Sequence, residues 1–437
     1  MQLTRRFFIS LAGIMLLYSI SFALPWLLPL AGFFLTVLVI ALFVDILLLF
    51  SKSIQITASR RTTKMLSLGD NNTIALLLEN RGGLAVDMDI FDELPYQLQV
   101  RNFHFREKLQ AGGTQEIRYD IRPLKRGEYR FGYINAITST LIGLAARRMQ
   151  LGEAEMIPVY PSVIQMKKYE LLAFARISTF EGVKKLRRIG HSYEFEQIKN
   201  YVQGDDIRSI NWKATGRRSS LMVNQYEDER SQQVYTIIDK SRSMHMPFHG
   251  LSLLDYSVNT SLVISNIALK KYDKAGLITF SHAIGSTLKA ESSELQLKKI
   301  LNALYFEKPQ NQEANYDLLY RSVKNVIRSR SLIFLYLNFE SAYAMERALP
   351  VLKKINHLHL LVVMFFENTE LIDYSKKQVD FVSDIYAQTI AQQLINEKKQ
   401  IASRLRKNGI QVILSRPEDL SINTVNKYLE LKARSLI

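Results

Sequence analysis

The sequence predicts a mixed α/β protein in three parts: a two-helix membrane hairpin, a small immunoglobulin-like β-sandwich, and a mostly parallel sheet covered by helices. Three observations carry that expectation. An apolar block precedes residue 51, short alternating strands fill the middle, and apolar runs alternate with amphipathic helices after Gln233. At 437 residues the chain is long enough for two or three separate cores.

The hairpin comes first. Residues 7–24 and 28–44 carry no charge, and each is about the length needed to cross a hydrocarbon core. Pro25, Trp26 and Pro29 between them supply two helix breakers and an interfacial aromatic. Arg5 and Arg6 precede the first span, Lys52, Arg60, Arg61 and Lys64 follow the second, and the connecting loop is uncharged. The positive-inside rule therefore puts both ends in the cytoplasm. TRRFFIS at 4–10 also resembles a twin-arginine export signal, but a second apolar span directly afterwards favours an anchor. Asp45 lies inside the second span, where a carboxylate is costly, and is expected to reach the interface at the cytoplasmic end.

From residue 53 to 163 the texture is period-two alternation with Gly, Asn and Pro punctuation, as in TIALLLENRGG (73–83) and VDMDIFDELP (86–95). This argues for the sandwich, and no constellation in it carries chemistry. Residues 164–233 form a connector with the dense stretch GDDIRSINWKATGRR at 204–218. Asp205, Asp206, Arg208, Trp212, Lys213 and Arg217 fit either an internal ion-pair network around a buried tryptophan, the favoured reading, or an interaction surface. A catalytic acid pair is disfavoured because the neighbouring arginines keep both aspartates ionised.

Residues 234–437 read as the α/β domain. Strand-like runs at 234–239, 275–280, 331–339, 359–366 and 410–415 alternate with helical stretches near 254–272, 292–306, 316–329, 342–356 and 371–407, and a last helix closes the chain. Lys407-Asn408-Gly409 is a helix-stop signal. In such sheets ligands bind beyond the carboxyl ends of the strands. Asp239, Ser241 and Ser243 stand there, directly after the first strand, as three oxygens aimed at one cation or as an ordinary polar turn.

The Asp-x-Ser-x-Ser pattern of this loop resembles the metal-ion-dependent adhesion site of von Willebrand factor A domains. The connector GDDIRSINWKATGRR, the loop LIGL at 141–144 and the terminal VNKYLELKARSLI resemble the bacterial "domain of unknown function fifty-eight" family. That resemblance covers essentially the whole chain. It implies the same three-part architecture, with a von Willebrand A-like (Rossmann-like) last domain, and a MoxR-type AAA+ ATPase as protein partner. It brings no settled enzymatic activity.

The resemblance also implies what should complete the site: a threonine from a second loop and an aspartate from a third. Here Ala314 and Asn315 occupy the second loop, and Leu337 and Asn338 the third. The adhesion site is therefore expected to be degenerate. Asp239, Ser241 and Ser243, with Asn338 as a weaker candidate, would bind Mg²⁺ or Mn²⁺ weakly if at all, since Mg²⁺ asks for six well-placed oxygens. Asp317 and Glu340 lie close enough in sequence to compensate.

Composition sets the remaining bounds. The absence of cysteine excludes thiolate metal sites, disulfides and cysteine nucleophiles. The net charge of +16 fits a protein held against anionic phospholipid, and no nucleic-acid-binding motif accompanies it. His357 and His359 at a strand start are expected to be satisfied surface histidines rather than zinc ligands. The sequence thus leads to a non-enzymatic interaction module, multi-pass in the bacterial inner membrane with its soluble domains cytoplasmic. A metal-dependent hydrolase using the Asp239 loop is the alternative.

Overall fold

A computed structural model describes the chain except for residues 52, 102, 181–193, 204, 206, 219, 228–230, 378–380 and 435–437. Two compact units divide it, Met1–Tyr160 and Pro161–Ile437. The first begins with helix α1 (Arg5–Ser21), a 3₁₀ turn at Pro25–Leu27 and helix α2 (Leu28–Phe50). Ile14 and Leu38 bury against each other's helices and against Leu144, while Phe33, Val37, Val39, Ile40 and Phe43 remain exposed. The segment Pro25–Phe50, with a mean hydropathy of 3.0, is long and apolar enough to cross a membrane.

The rest of this unit is mostly antiparallel β structure: β1 (Ile56–Arg61), β2 (Asn72–Asn80), β3 (Val86–Asp92), β4 (His104–Leu109), β5 (Thr114–Ile121), β6 (Gly127–Phe131), β7 (Ile134–Ser139), β8 (Ala145–Leu151) and β9 (Glu155–Tyr160). One sheet runs β8-β7-β3-β4, with Gln2–Leu3 paired onto the free edge of β8. A second runs β1-β2-β5, and a third joins β9 to β6 and to Leu66–Ser67. Strict alternation, as in Ile74, Leu76 and Leu78 of β2, turns one face inward. Asp92 in this core takes the Arg60 guanidinium and the Tyr119 hydroxyl, while Arg60 Nη1 is left without a hydrogen-bond partner among the described residues. Burial and the adjacent Asp92 charge push the Tyr119 phenol well above its usual range.

The second unit opens with helix α3 (Val163–Phe180). The hairpin of β10 (Glu194–Asn200) and β11 (Met222–Glu227) follows, with the short helix α4 (Trp212–Arg218) between its strands. Then come β12 (Gln233–Asp239), α5 (Leu253–Lys270), β13 (Lys274–Phe280), β14 (Ile284–Glu291), α6 (Glu294–Phe306), α7 (Tyr316–Val326), β15 (Leu332–Tyr336), α8 (Ala342–Leu358), β16 (Leu360–Phe366), α9 (Thr369–Tyr374), α10 (Val382–Lys407), β17 (Gln411–Ser415) and α11 (Leu420–Ala433). The sheet order is β14-β13-β12-β15-β16-β17, parallel throughout except for the antiparallel edge strand β14.

Successive residues of β12 explain the apolar strands. Val234 and Ile238 pack with Leu262, Leu304 and Tyr428 on one face, while Tyr235 and Ile237 pack with Leu319, Leu352 and Leu405 on the other. Both faces are covered, so no polar alternation survives. Helix α5 starts in a capping box, Ser252 with Asp255. Helix α10 stops as expected: Gly409 at φ +78° lets the Ile410 N–H reach the Leu405 carbonyl at 3.2 Å. Two features depart from the expected pattern. Strand β14, which was not among the expected strand-like runs, adds an edge. The long helix expected over 371–407 is two helices, and Ser375 bonds back to the Ile372 carbonyl at 2.8 Å where the first ends.

Candidate functional site

The order of the sheet fixes where a ligand belongs. From β12 the chain goes to β13 on one side, and from β15 to β16 on the other. The carboxyl ends of β12 and β15 therefore border the switch-point crevice where open α/β sheets bind ligands. Asp239 is the last residue of β12, and Asn338 stands two residues past the end of β15.

Asp239 is fully buried. Its Oδ1 accepts the Ser241 N–H at 2.8 Å, the usual local turn of an aspartate. Its Oδ2 has no hydrogen-bond partner among the described residues. Tyr316, edge-on to Phe280 and tilted against Phe339, shields the region. Desolvation pushes the Asp239 carboxyl up to about 6, and the neighbouring Ser241 and Ser243 only partly offset it. Neither serine hydroxyl reaches hydrogen-bond geometry on Oδ2; the two oxygens lie 3.1 Å from each other instead. Burial and the Asp239 charge also hold the Tyr316 phenol well above its usual range.

The positive charges beside Asp239 in sequence are engaged elsewhere. Lys240 Nζ lies 2.8 Å from Glu307, whose carboxylate also accepts Thr279 Oγ1 at 2.6 Å and the Ser286 N–H at 3.1 Å. Burial alone would raise the Glu307 carboxyl, but Lys240, Ser286 and Thr279 together hold it below its ordinary value. Arg242 faces Glu340 at 3.5 Å, both exposed.

The second loop does pack on the first. Gln310 N–H donates to the Lys240 carbonyl at 2.8 Å, and Arg242 N–H to the Gln312 carbonyl at 3.2 Å. Ala314 packs into the apolar cluster beneath. Asn315 caps α7 by accepting the Leu318 N–H at 3.0 Å, which commits its oxygen to the helix. Asp317 is exposed on the first turn of α7.

The third loop meets a residue that sequence reasoning missed, Lys398 of α10. Asn338, 4% exposed, donates to the Ser243 carbonyl at 3.0 Å, and its Oδ1 accepts Lys398 Nζ at 3.0 Å. Lys398 also donates to the Phe366 carbonyl at 3.1 Å and lies over the Phe365 ring at 5.1 Å. Burial lowers its ammonium to about 8, against the pull of Glu340 and Glu367. A fixed ammonium thus takes the oxygen that Asn338 would offer a metal. A signal was available: Lys398 falls midway between Ala391 and Leu405, on the buried stripe of α10.

The donor set fits a hard divalent cation only in part. Asp239 Oδ2, Ser241 Oγ and Ser243 Oγ would supply three oxygens and one negative charge, with water for the remainder. Among the described residues no cluster of three His, Asp or Glu side chains could hold a metal. His359 is buried, not on the surface as expected, because it stands at the entrance to β16; desolvation lowers its imidazole.

The connector residues are distributed differently from the favoured expectation. Trp212 is 70% exposed, so no network encloses a buried tryptophan. It is the first residue of a seven-residue helix that packs only one side on its hairpin, through Thr215 Oγ1 to the Met222 N–H at 3.0 Å. Asp205 pairs with Lys199 at 2.8 Å and accepts the Val202 N–H at 3.0 Å; the Lys199 hydrogen bond is the main reason its carboxyl lies below the usual range. Arg208, Lys213 and Arg217 are exposed, and Asp206 lies outside the described residues. Val202 and Ile207, at 62% and 70% exposure, add apolar surface in the same connection between β10 and β11.

Asp45 is fully buried within the protein. Its carboxylate accepts the Thr140 hydroxyl and the N–H groups of Leu144 and Ala145, both at 2.7 Å.

Residues 197–371 match the sequence model of a family described as "Protein of unknown function DUF58". An "Uncharacterized protein YeaD" of Bacillus subtilis (strain 168) is 26% identical over 130 residues, 30% of this chain. The match spans 32% of that relative's own length. Similar solved structures include a CARDB domain from Pyrococcus furiosus in complex with di-metal ions, at 12% identity and a TM-score of 0.19 over 24% of this chain and 93% of that one. A PapD-like domain of human CEP192 matches at 20% identity and a TM-score of 0.18, over 24% and 85%.

Proposed function

We propose, from the match of residues 197–371 to the sequence model of the DUF58 family, that this chain is a membrane-anchored, non-enzymatic module that docks a protein partner. In this reading α1 and α2 form a two-pass hairpin in the bacterial inner membrane, with both soluble parts cytoplasmic, as the flanking arginines and the uncharged loop favour. The β structure serves as a sandwich-type spacer, and the second unit as a von Willebrand A-like domain with a degenerate adhesion site. The partner is a MoxR-type AAA+ ATPase, the class that the family resemblance implies.

One observation carries the docking reading: Trp212 is 70% exposed, with Arg208, Lys213 and Arg217 exposed around it in sequence, inside the family-matched region. An exposed tryptophan among arginines has the composition of a binding hot spot and no role in a core. The Asp239 loop would add a second contact, with Asp239, Ser241 and Ser243 holding Mg²⁺ or Mn²⁺ weakly if a partner carboxylate completes the set. Such a cation would bridge the two proteins.

The test is photo-crosslinking from position 212 in native membranes. An AAA+ ATPase subunit is the expected adduct, lost with Arg217→Glu. Trp212→Ala is expected to leave stability within about 0.5 kcal/mol, as for an exposed side chain. No specific adduct from position 212 refutes the reading. The hydrolase alternative has one observation in its favour, the raised Asp239 carboxyl, since perturbed groups gather at active sites. It predicts Mn²⁺-stimulated phosphoester turnover that Asp239→Asn abolishes.

A further inference from the structure

The loop joining β7 to β8, Thr140-Leu-Ile-Gly-Leu144, is a short β connection whose tip is apolar. Leu141 is 63% exposed and Ile142 38%. Tight turns in water carry Gly, Asn, Asp, Ser and Pro instead. An exposed Leu-Ile tip needs a different solvent.

Its attachment says which one. Asp45 of α2 takes the Thr140 hydroxyl and the Leu144 and Ala145 N–H groups, so three donors converge on one carboxylate. From the other helix, Thr4 donates its N–H to the Leu144 carbonyl at 3.0 Å and its hydroxyl to the Gly143 carbonyl at 2.5 Å. Gln2–Leu3 continues as a strand paired to Ala145 and Ala146. Gly143 is favoured here by its φ of +67°, a left-handed conformation that strains other residues. The loop is thus fixed to both helices at one level.

That level can be placed along α2. Asp45 lies five residues before Phe50, about 7.5 Å inside the end of the helix at 1.5 Å per residue. The apolar segment Pro25–Phe50 has 26 residues, about 39 Å, against a hydrocarbon core of about 30 Å. With the excess of about 9 Å shared between its two ends, the last turn of α2 overlaps the headgroup layer, and the Asp45 level falls about 3 Å to the acyl side of the headgroup boundary. Charge agrees: Arg5 and Arg6 are exposed at the start of α1, and the Arg147 guanidinium lies over the Phe50 ring at 4.7 Å. Basic groups at that height face anionic phosphates.

We propose that the 140–144 loop is a second membrane contact, stapled to the helices by Asp45, with Leu141 and Ile142 in the acyl boundary of the bilayer and Arg5, Arg6 and Arg147 among its anionic headgroups. The staple fixes the loop to the helices at membrane height. It also gives the buried carboxylate of α2 a purpose other than transport or catalysis.

The inference rests on α2 crossing the membrane, and the experiment separates the two. The chain has no cysteine, so single-cysteine nitroxides can be placed without background. Labels at Leu141→Cys and Ile142→Cys are compared in the full chain, in vesicles of phosphatidylethanolamine and phosphatidylglycerol, with Val37→Cys on α2 and Glu153→Cys beyond the far end of β8. Collision with oxygen exceeding collision with a water-soluble nickel chelate at 141 and 142, as at 37 and opposite to 153, is the expected result. Nickel-dominated collision at 141 and 142 with lipid values at 37 overturns the proposal alone. A water-like value at 37 overturns the membrane anchor and the proposal with it. Low access to both reagents, with spin–spin broadening relieved by dilution, shows a second copy covering the tip and also overturns it. Asp45→Asn is expected to shift the label at 142 toward nickel access; an unchanged ratio removes Asp45 from the staple.

Discussion

Replacing Asp239 by Asn removes a charge that the fold holds at a disadvantage, and the size of the effect follows from its surroundings. The carboxyl is fully buried and desolvation raises it from 3.8 to about 6, a shift of about two units, or about 3 kcal/mol at 1.36 kcal/mol per unit. Below about pH 4 both folded and unfolded chains hold the proton and the group contributes nothing. As the pH rises from there, the unfolded chain ionises first, so native stability falls until the folded carboxyl also ionises near 6. Asn keeps an acceptor for the Ser241 N–H and carries no charge. Asp239→Asn is therefore expected to gain up to about 3 kcal/mol at pH 8 and nothing at pH 4. For a unit of this size that is roughly 5–10 °C in the transition of the second unit. The assay is thermal unfolding of the full chain in detergent with chelator at pH 4 and pH 8, repeated with Mg²⁺. Mg²⁺ should stabilise the wild type and leave the variant unmoved, because only the wild type has the charge to neutralise. A variant less stable than wild type at pH 8, or an equal difference at both pH values, refutes the reasoning.

Three other outcomes follow from contacts described above. Asn338→Asp alone should leave Mg²⁺ affinity nearly unchanged by calorimetry, because Lys398 pairs with the new carboxylate; adding Lys398→Met should tighten it by roughly tenfold or more. Asp45→Ala should cost about 3 kcal/mol or more in detergent, since it strands the Thr140 hydroxyl and two backbone N–H groups, and a wild-type melting curve would contradict that. Glu307→Gln should destabilise by about 2 kcal/mol at pH 7, losing charged hydrogen bonds to Lys240, Thr279 and Ser286. Because the folded Glu307 carboxyl sits below its ordinary value, that contribution is present above the unfolded pKa and disappears as the pH falls through the folded one. A difference that persists at pH 3 would contradict it.

Legibility differed sharply between parts of the chain. The five apolar runs from 234 to 415 each became a strand within a few residues, because a strand buried on both faces leaves its hydrophobicity in plain order. Strand β14 was not among those runs, since an edge strand with one wet face has no continuous apolar run. Asp239 was found at the strand end, but its isolation on Oδ2 was not visible, nor was the way Glu307 draws Lys240 away. Asn338 was recognised as a missing carboxylate, while the ammonium that meets it came from a helix some sixty residues later. Trp212 was misread because a large aromatic in a charged stretch resembles a core residue; exposure is a property of the neighbours, which the local sequence does not contain.

What the sequence determined by itself was set by period and composition: the apolar spans at 7–24 and 28–44, the alternating β region, the α/β region, and the loop bearing Asp239, Ser241 and Ser243. These follow from backbone geometry repeated over neighbours, so local order is enough to read them. What the tertiary structure decided was the charge state of each key group and the partner that sets it. Asp45 found a loop about a hundred residues away, Lys398 found Asn338, and Asp239 found no partner for Oδ2. Such pairings depend on desolvation and on directed hydrogen bonds between distant segments, and only the packed chain fixes either.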